Sequence, residues 1–594
     1  MFNSKSLNIF YSFITILGIS CFLSTYSSYK NIISNNFVFL LLFIFYLLFI
    51  SKVKIKKDKR TIIFSTIFSV FLSIILTVGA CMEVNTNIAN IFVPILSFIG
   101  LTLFCIPLIN IILKTTINIK KGNKIPTINI FIIIWFFGIL GWLALYPGGY
   151  DYDAPAQLSQ FMNPDYSVNT HFSVLFSYLE YLIVSLGYNI FGNYQSAIGL
   201  FTFLQMTIVS IITTYIITFI SNKLNFNRII TILLILFFAI FPFHILLQVS
   251  CVQDTLFSCS LIIFAINLYK LIIEDKYFQK KSDYFSIIIS GILLCLFRNN
   301  GIYIIIISLI LSLLFKFIFK YKLQTKKYII CIISIILIYY SYQIILLPIL
   351  GVEKGNSIQE MSSIPSQQLA RVYNNNINAF SDEQLNKLNK FYPNCDFSSY
   401  NTYESISDGI KACLDENYTK KHLIDYAKLY ISVGAKDPIN YTKAFLLNTY
   451  GFWYPNKSYP DERIYHPYIE YKVSTPSIFS DDLIEIERNS KFPLYEKVLN
   501  EVLDQNNWQK IPVISSICSM GSYFILLMFI IISCIYKKKY KYIFILSLYI
   551  SIYITLFLSP VALYRYIYPI MISLPLLILI LIDVYIKDKK NKVI

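Results

Sequence analysis

The chain has 594 residues, of which 56% are hydrophobic and 14% charged, against about 25% charged in an ordinary soluble domain. With a mean hydropathy of +0.61, this excludes a soluble globular protein, a disordered chain and a fibrous repeat. The net charge of +17 is unevenly spread: residues 352–510 hold 17 basic and 21 acidic residues, net −4, and the remainder 33 and 12, net +21; that positive charge lies mostly in short loops between apolar runs, the pattern of cytoplasmic loops and not of a nucleic-acid surface.

Apolar runs near 20 residues recur along most of the length, which predicts an all-α polytopic membrane protein. Fourteen spans are predicted, at roughly 8–28, 36–51, 61–81, 91–113, 128–146, 195–220, 228–247, 255–272, 284–297, 302–319, 328–348, 513–536, 543–559 and 567–586. The first run lacks a small-residue cleavage site and reads as a spanning helix, not a signal peptide. Basic clusters at Lys52–Arg60, Lys114–Lys124, Lys270–Lys281, Lys320–Lys327, Lys537–Lys541 and Lys587–Lys592 then lie on the cytoplasmic side with both termini.

One stretch disturbs this alternation. His171–Phe191 is apolar enough to be a span, yet if it crossed, every later basic loop would switch sides. It is therefore predicted to lie as an interfacial or re-entrant helix on the outer side, where protein or a wet cavity covers such backbone. The alternative is a normal span with one later helix miscounted, the weakest candidate being 284–297.

The polar segment at 351–511 is predicted to be a mostly helical extracytoplasmic domain. Leu423, Tyr426, Leu429 and Tyr430 show a helical spacing within it. Cys395 and Cys413 stand alone there among 11 Cys; they form a disulfide if the domain faces an oxidising space, or remain two thiols.

Acidic residues are scarce outside that domain. Asp58, Glu83, Glu274, Asp275, Asp283, Asp583 and Asp588 sit in or beside loops and read as solvated charge. Asp151, Asp153, Asp165, Glu180 and Asp254 all map to the outer face. Acids at membrane depth are costly and usually functional. Asp151 and Asp153 follow the Pro147–Gly148 end of the fifth span and alternate with Tyr150 and Tyr152. A carboxylate at such a boundary suits a general base, and tyrosine faces suit sugar rings; an ordinary acidic loop is the plain alternative. His171 could bind an anionic phosphate, assist proton transfer, or cap a helix. Asp254 favours a helix N-terminus, or is a second acid of the same site. Arg298 and Arg565 run against the positive-inside trend and suit a phosphate or pyrophosphate, or else snorkel to headgroups.

Together, these residues resemble the GT-C glycosyltransferases, and most closely a poorly characterised bacterial branch. The matching positions are Pro147, Gly148, Tyr152, Asp153 and Gln157, then His171, Asp254, and Arg298 to Tyr303. Ile364 to Arg371, Tyr450 to Pro455, and Arg565 with Tyr566 complete them. The branch usually has His-Pro where this chain has His171-Phe172, and Lys-Asp where it has Gln253-Asp254. The resemblance implies about 14 transmembrane helices of GT-C type. Residues 1–127 would be an added four-helix bundle, 128–350 the catalytic module, 351–511 the extracytoplasmic domain and 512–594 the last spans. It implies a bacterial cell-membrane enzyme moving a sugar from a polyprenyl-phosphate donor to a glycan, lipid or protein acceptor by inverting transfer. Asp153 would be the general base, with Asp151 as runner-up. His171, Arg298 and Arg565 would stabilise the departing phosphate. Asp254 would orient the acceptor or share a divalent cation with the loop acids; several relatives need no metal, and none is assigned. Tyr152, Gln157, Arg371 and Tyr566 would contribute to substrate binding.

The rival class is transport of a lipid-linked glycan. It calls for polar groups near mid-membrane and broken helices in matched repeats, and no convincing internal repeat is present. A third class is a non-catalytic receptor that binds through the polar domain.

Overall fold

A computed structural model of the chain describes residues 5–586 apart from 26–34, 53–57, 85–90, 151–152, 164–165, 226, 275–277, 322–324, 356, 403–405, 459–485, 504–506 and 512. Asp151, Tyr152, Asp165 and the Lys587–Lys592 tail lie outside the described residues. Among those described, every regular element is helical, and β pairing is limited to three isolated bridges. The protein is an all-α polytopic membrane protein.

The N-terminal bundle comprises α1 (Lys5–Ser24), α2 (Asn36–Lys52), α3 (Lys59–Val84) and α4 (Phe92–Lys114). These helices are apolar all round, and in lipid apolar surface alone does not drive helices together, so close packing falls to small residues. Thr61, Ser65, Ser69, Ser73 and Thr77 recur every fourth position of α3 and are all buried, because that spacing puts them on one helix face. Gly18 of α1 and Gly100 of α4 touch: a Cβ built on either would lie 2.5 Å from the other's Cα.

The next helices are α5 (Thr127–Ala144), α6 (Asp153–Met162), α7 (Val174–Phe191), α8 (Tyr194–Lys223), α9 (Arg228–Ile240) and α10 (Pro242–Gln248). They are followed by α11 (Gln253–Ile273), α12 (Lys281–Phe297), α13 (Gly301–Phe319) and α14 (Thr325–Ser341), the last continuing to Ile349. The polar domain holds α15 (Ser363–Asn375), α16 (Asp382–Phe391), α17 (Leu423–Lys436), α18 (Pro438–Trp453) and α19 (Pro493–Leu503). Then come α20 (Met520–Tyr536), α21 (Ile543–Leu556), α22 (Tyr564–Ile572) and α23 (Leu574–Tyr585). The buried residues of the main apolar core run from Ile130 to Tyr585, while α1–α4 contribute to separate clusters.

The expected count of fourteen spans is not confirmed. Among the described residues nine helices are long and apolar enough to cross a membrane, or up to eleven if each of two bent pairs is one span. The bends are 58° between α9 and α10 and 44° between α22 and α23, where Pro242 and Pro575 begin new helices. A hydropathy run does not register such a break. Asn36–Lys52, Met520–Tyr536 and Tyr540–Leu556 are apolar but shorter.

His171–Phe191 contains α7, which by length and composition is one of the nine. It meets α8 where Phe176 contacts Phe201, Gly187 faces Ala197 and Tyr188 stacks on Tyr194, and it meets α6 where Phe161 contacts Tyr178 and Tyr181. From Phe201 to Lys223, α8 continues for about 33 Å, already the thickness of a hydrocarbon core.

The two ends of the bundle differ in charge. At one end, Ile117 pairs with Ile586, Gly122 bonds Asn225, Lys537 reaches the carbonyl of Thr115, and Arg60 donates to the carbonyl of Ile535, so described parts of several basic loops lie here together. At the other, Tyr146 accepts from Asn489, Gln195 meets Glu487, and Val168–Thr170 pairs with Glu353; this end carries the polar domain. Asp583, expected to be solvated, instead accepts from Tyr269 of α11 and from Tyr542, just before α21. Glu274 pairs with Lys223 at 2.8 Å, and Asp283 caps the start of α12.

The polar domain has its own core, including Leu369, Leu388, Phe391, Tyr392 and Val433. Leu429 is buried there, with Tyr426 and Tyr430 against it, whereas Leu423 is exposed. Cys395 and Cys413 are unbonded thiols close enough to hydrogen-bond.

Candidate functional site

Four charged side chains meet where helices begin. Asp153 is the first residue of α6, Asp254 the second of α11 and Arg565 the second of α22, while Arg298 ends α12 just before α13. Local chemistry explains the placement. Acids are favoured in a first helical turn. The Arg298–Gly301 turn is so tight that a Cβ on Gly301 would lie 2.2 Å from the carbonyl oxygen of Leu294. Gly148, at φ +120°, brings the loop before Asp153 against Val249, and Gly149 then pairs with Ser250. Gln205 holds the facing strand by donating to the carbonyls of Gln248 and Ser250, at 3.2 Å and 2.7 Å. Asp153 and Asp254 are thereby brought to one place from distant parts of the chain.

Arg565 donates to Asp153, and Arg298 donates to Asp254. The ring of Tyr566 joins the two pairs, with the Arg298 guanidinium 4.5 Å and the Arg565 guanidinium 5.2 Å from its centre. The Asp254 side chain is only 2% exposed, whereas that of Asp153 is 22% exposed. Burial pulls the Arg298 guanidinium down to about 10, with Tyr566 holding it up, Arg565 repelling it and Asp153 holding it up. It remains a cation at neutral pH, and it senses both members of the other pair.

The helix starts around this cluster are electrostatically open. Val252, Asn300 and Leu563, which precede α11, α13 and α22, make no side-chain capping bond. Uncapped first-turn N–H groups favour an anion. Among the described residues no group of three His, Cys, Asp or Glu is placed to hold a metal ion. Both described carboxylates of the cluster already face a guanidinium.

The other predicted residues divide. Gln157 lies one turn after Asp153 on α6; it is fully buried, and its amide has no hydrogen-bond partner among the described residues. His171 is exposed, and its ring stands edge-on to Phe172. It neighbours the arginine turn through the backbone, since Asn299 donates to the carbonyls of Thr170 and His171. Arg371 is held within the polar domain instead: it donates to the carbonyl of Thr402 at 2.7 Å and bonds Tyr400, and burial lowers its pKa. Gln367 and Gln368 are likewise engaged there by Tyr400, Tyr430 and Tyr441.

Ser173 and Gln205 position the site without a signal in the sequence, and Asn299, inside the Arg298–Tyr303 match, does so without a role expected of it. Ser173 caps α7, donates to the carbonyl of Leu296 at 2.5 Å, and through its N–H meets the side chain of Gln253. Asn299 and Gln205 also bond across elements. Short polar side chains near helix ends are common, so no spacing distinguishes these. Glu180 is buried on α7 and interacts with Tyr150.

Residues 162–593 match the model of a family described as being of unknown function, DUF6020. No curated protein and no solved structure matches the chain. The family match takes in His171, Asp254, Arg298 and Arg565 and begins beyond Asp153. Because it covers well over half of the 594 residues, the chain belongs to the DUF6020 family.

Proposed function

We propose that the protein is a GT-C type membrane glycosyltransferase. It moves a sugar from a polyprenyl-phosphate donor to a glycan, lipid or protein acceptor at the extracytoplasmic face of a bacterial cell membrane. The observation that carries the reading is the convergence of Asp153, Arg565, Arg298 and Asp254 around Tyr566. Transfer from a lipid phosphate requires stabilisation of a departing anion and a base for the acceptor hydroxyl. Two arginines and three uncapped helix starts supply the first, and Asp153 the second. The acceptor oxygen bonds the anomeric carbon and gives its proton to Asp153. The bond from that carbon to the phosphate oxygen breaks on the opposite side, so configuration inverts. Asp254 holds Arg298 in place.

In this reading the basic end is cytoplasmic with both termini, and the polar domain is outside. Helix α7 stays on the outer side, which keeps the later basic loops on the cytoplasmic side.

The test is transfer by purified protein in bilayers, using a panel of polyprenyl-phosphate-linked sugars and membrane-extracted acceptors. Asp153→Asn is expected to lose at least about 100-fold in rate while remaining monodisperse. Normal transfer by that variant, with Asp151→Asn also active, would falsify the catalytic assignment.

A second reading, transport of a lipid-linked glycan, gains from the two bent pairs packing on one another. Phe243 of α10 stacks on Tyr564 of α22 at 4.0 Å, and His244 bonds Tyr568 at 2.8 Å. Broken helices of this kind line transporter sites. A transporter would move the lipid between leaflets without transferring sugar, and Asp153→Asn would leave the lipid chemically unchanged in both cases.

A further inference from the structure

Each described guanidinium of the cluster already faces a carboxylate: Arg565 meets Asp153, and Arg298 meets Asp254. Two positive charges against two negative ones leave little attraction for a further anion. A phosphate that used these arginines would have to take one from its carboxylate.

The two pairs are not equally able to part. Asp254 is 2% exposed and sits among the buried residues Cys251, Val252 and Thr255. Displaced from Arg298, it would be a buried and unpaired carboxylate, which is a costly state. Asp153 is 22% exposed and begins a helix, so a rotamer change can bring it to solvent. Arg565 sits in the uncapped first turn of α22, where backbone N–H groups would support an incoming anion after the carboxylate leaves. Its contact with Tyr566 also gives the guanidinium a second anchor when Asp153 departs.

We infer that a phosphate-bearing ligand binds by exchanging with Asp153 for Arg565, so that ligand binding itself releases the carboxylate from its ion pair. This rests on the glycosyltransferase reading only for what the freed carboxylate then does. Before exchange, the Asp153 carboxylate is engaged by the Arg565 guanidinium and is not presented to an acceptor hydroxyl. After exchange, it is free to take the proton of an acceptor hydroxyl, while Arg565 holds the phosphate that leaves. The order of events is therefore built in: donor first, base second. Arg298, locked by Asp254, remains a fixed positive charge throughout.

Exchange has a signature opposite to that of an ordinary binding residue. If Asp153 competes with the ligand, removing its charge strengthens binding by the inverse of the fraction of protein in which the pair is open. The experiment measures binding of a short-chain polyprenyl monophosphate to the full-length protein in nanodiscs, with the matching prenol and inorganic phosphate as separate arms. Asp153→Asn is expected to bind the lipid phosphate about tenfold more tightly than the natural chain, and Asp153→Ala to do the same. The gain should vanish when either change is combined with Arg565→Gln. Binding of the prenol should be unaffected. Tightening for inorganic phosphate as well would place the exchange at the phosphate group alone; tightening confined to the lipid would add the prenyl chain to the recognised unit. Unchanged or weaker lipid-phosphate binding by both folded Asp153 variants overturns the exchange while leaving the glycosyltransferase reading intact. No lipid-phosphate binding by any form overturns both.

Discussion

Arg298 and Arg565 lie against the same ring, 4.5 Å and 5.2 Å from the centre of Tyr566. The two cations repel each other, and the arrangement persists because each has a carboxylate partner and each lies over the same aromatic ring. Tyr566 follows Arg565 directly in sequence, whereas Arg298 comes from a different helix, so the ring ties two elements together at the cluster.

The ring's contribution is separable from its hydroxyl. A cation–π contact contributes about 0.5–2 kcal/mol, depending on desolvation. Tyr566→Leu is expected to raise the KM for a lipid-linked donor by about tenfold, whereas Tyr566→Phe should stay within about twofold because the π face is retained. Steady-state kinetics on the two variants in the same lipid decides this; equal loss in both would assign the role to the hydroxyl.

Asp254 is predicted to matter for stability before chemistry. Asparagine at this position leaves Arg298 without its counter-ion in a nearly closed environment. Such a loss costs about 3–5 kcal/mol, so Asp254→Asn should lower the melting temperature markedly in detergent. The paired change Asp254→Asn with Arg298→Gln should recover part of it, because no unpaired charge then remains. Thermal unfolding of the single and double variants measures the difference.

Glycine is required at position 148 for two reasons. Its φ is +120°, and a Cβ there would lie 2.4 Å from the carbonyl oxygen of Val249. Gly148→Ala is expected to cost about 1–3 kcal/mol and to reduce transfer, since the loop leads directly into Asp153. Gly192 also has a positive φ, +70°, but meets nothing within 4 Å. Gly192→Ala should therefore cost about 1 kcal/mol and leave transfer nearly unchanged. Melting temperatures and rates for the pair check both expectations.

Sidedness follows from the charge of the two ends. Lys354 and Lys120 are both exposed, the first beside the polar domain and the second among the basic loops. In a chain whose native cysteines are replaced, Lys354→Cys should react with a membrane-impermeant maleimide on intact cells. Lys120→Cys should react only after permeabilisation. The reverse pattern would put the charged cluster on the cytoplasmic side and remove the proposed donor site.

Much was legible in the residues themselves. Long apolar runs with few charges dictate helices that cross a membrane, since only satisfied backbone is stable in hydrocarbon. The basic loops announced which ends of those helices belong together, and described parts of several of them do lie together at one end of the bundle. The scarcity of ionised side chains elsewhere drew attention to Asp153, Asp254, Arg298 and Arg565, because charge near lipid is retained only at a cost.

Partnership was not legible. Nothing in the order of residues says that Arg565 meets Asp153 and Arg298 meets Asp254, or that Arg371 is held by Thr402 inside the polar domain instead of joining them. Nor does hydropathy reveal that two apolar runs are bent, since both sides of the break at Pro242 are apolar enough to read as one run. Pattern along a chain reports what each segment buries and where its ends prefer to lie. Which charges neutralise one another depends on contacts between segments far apart in sequence, and those exist only once the helices have packed.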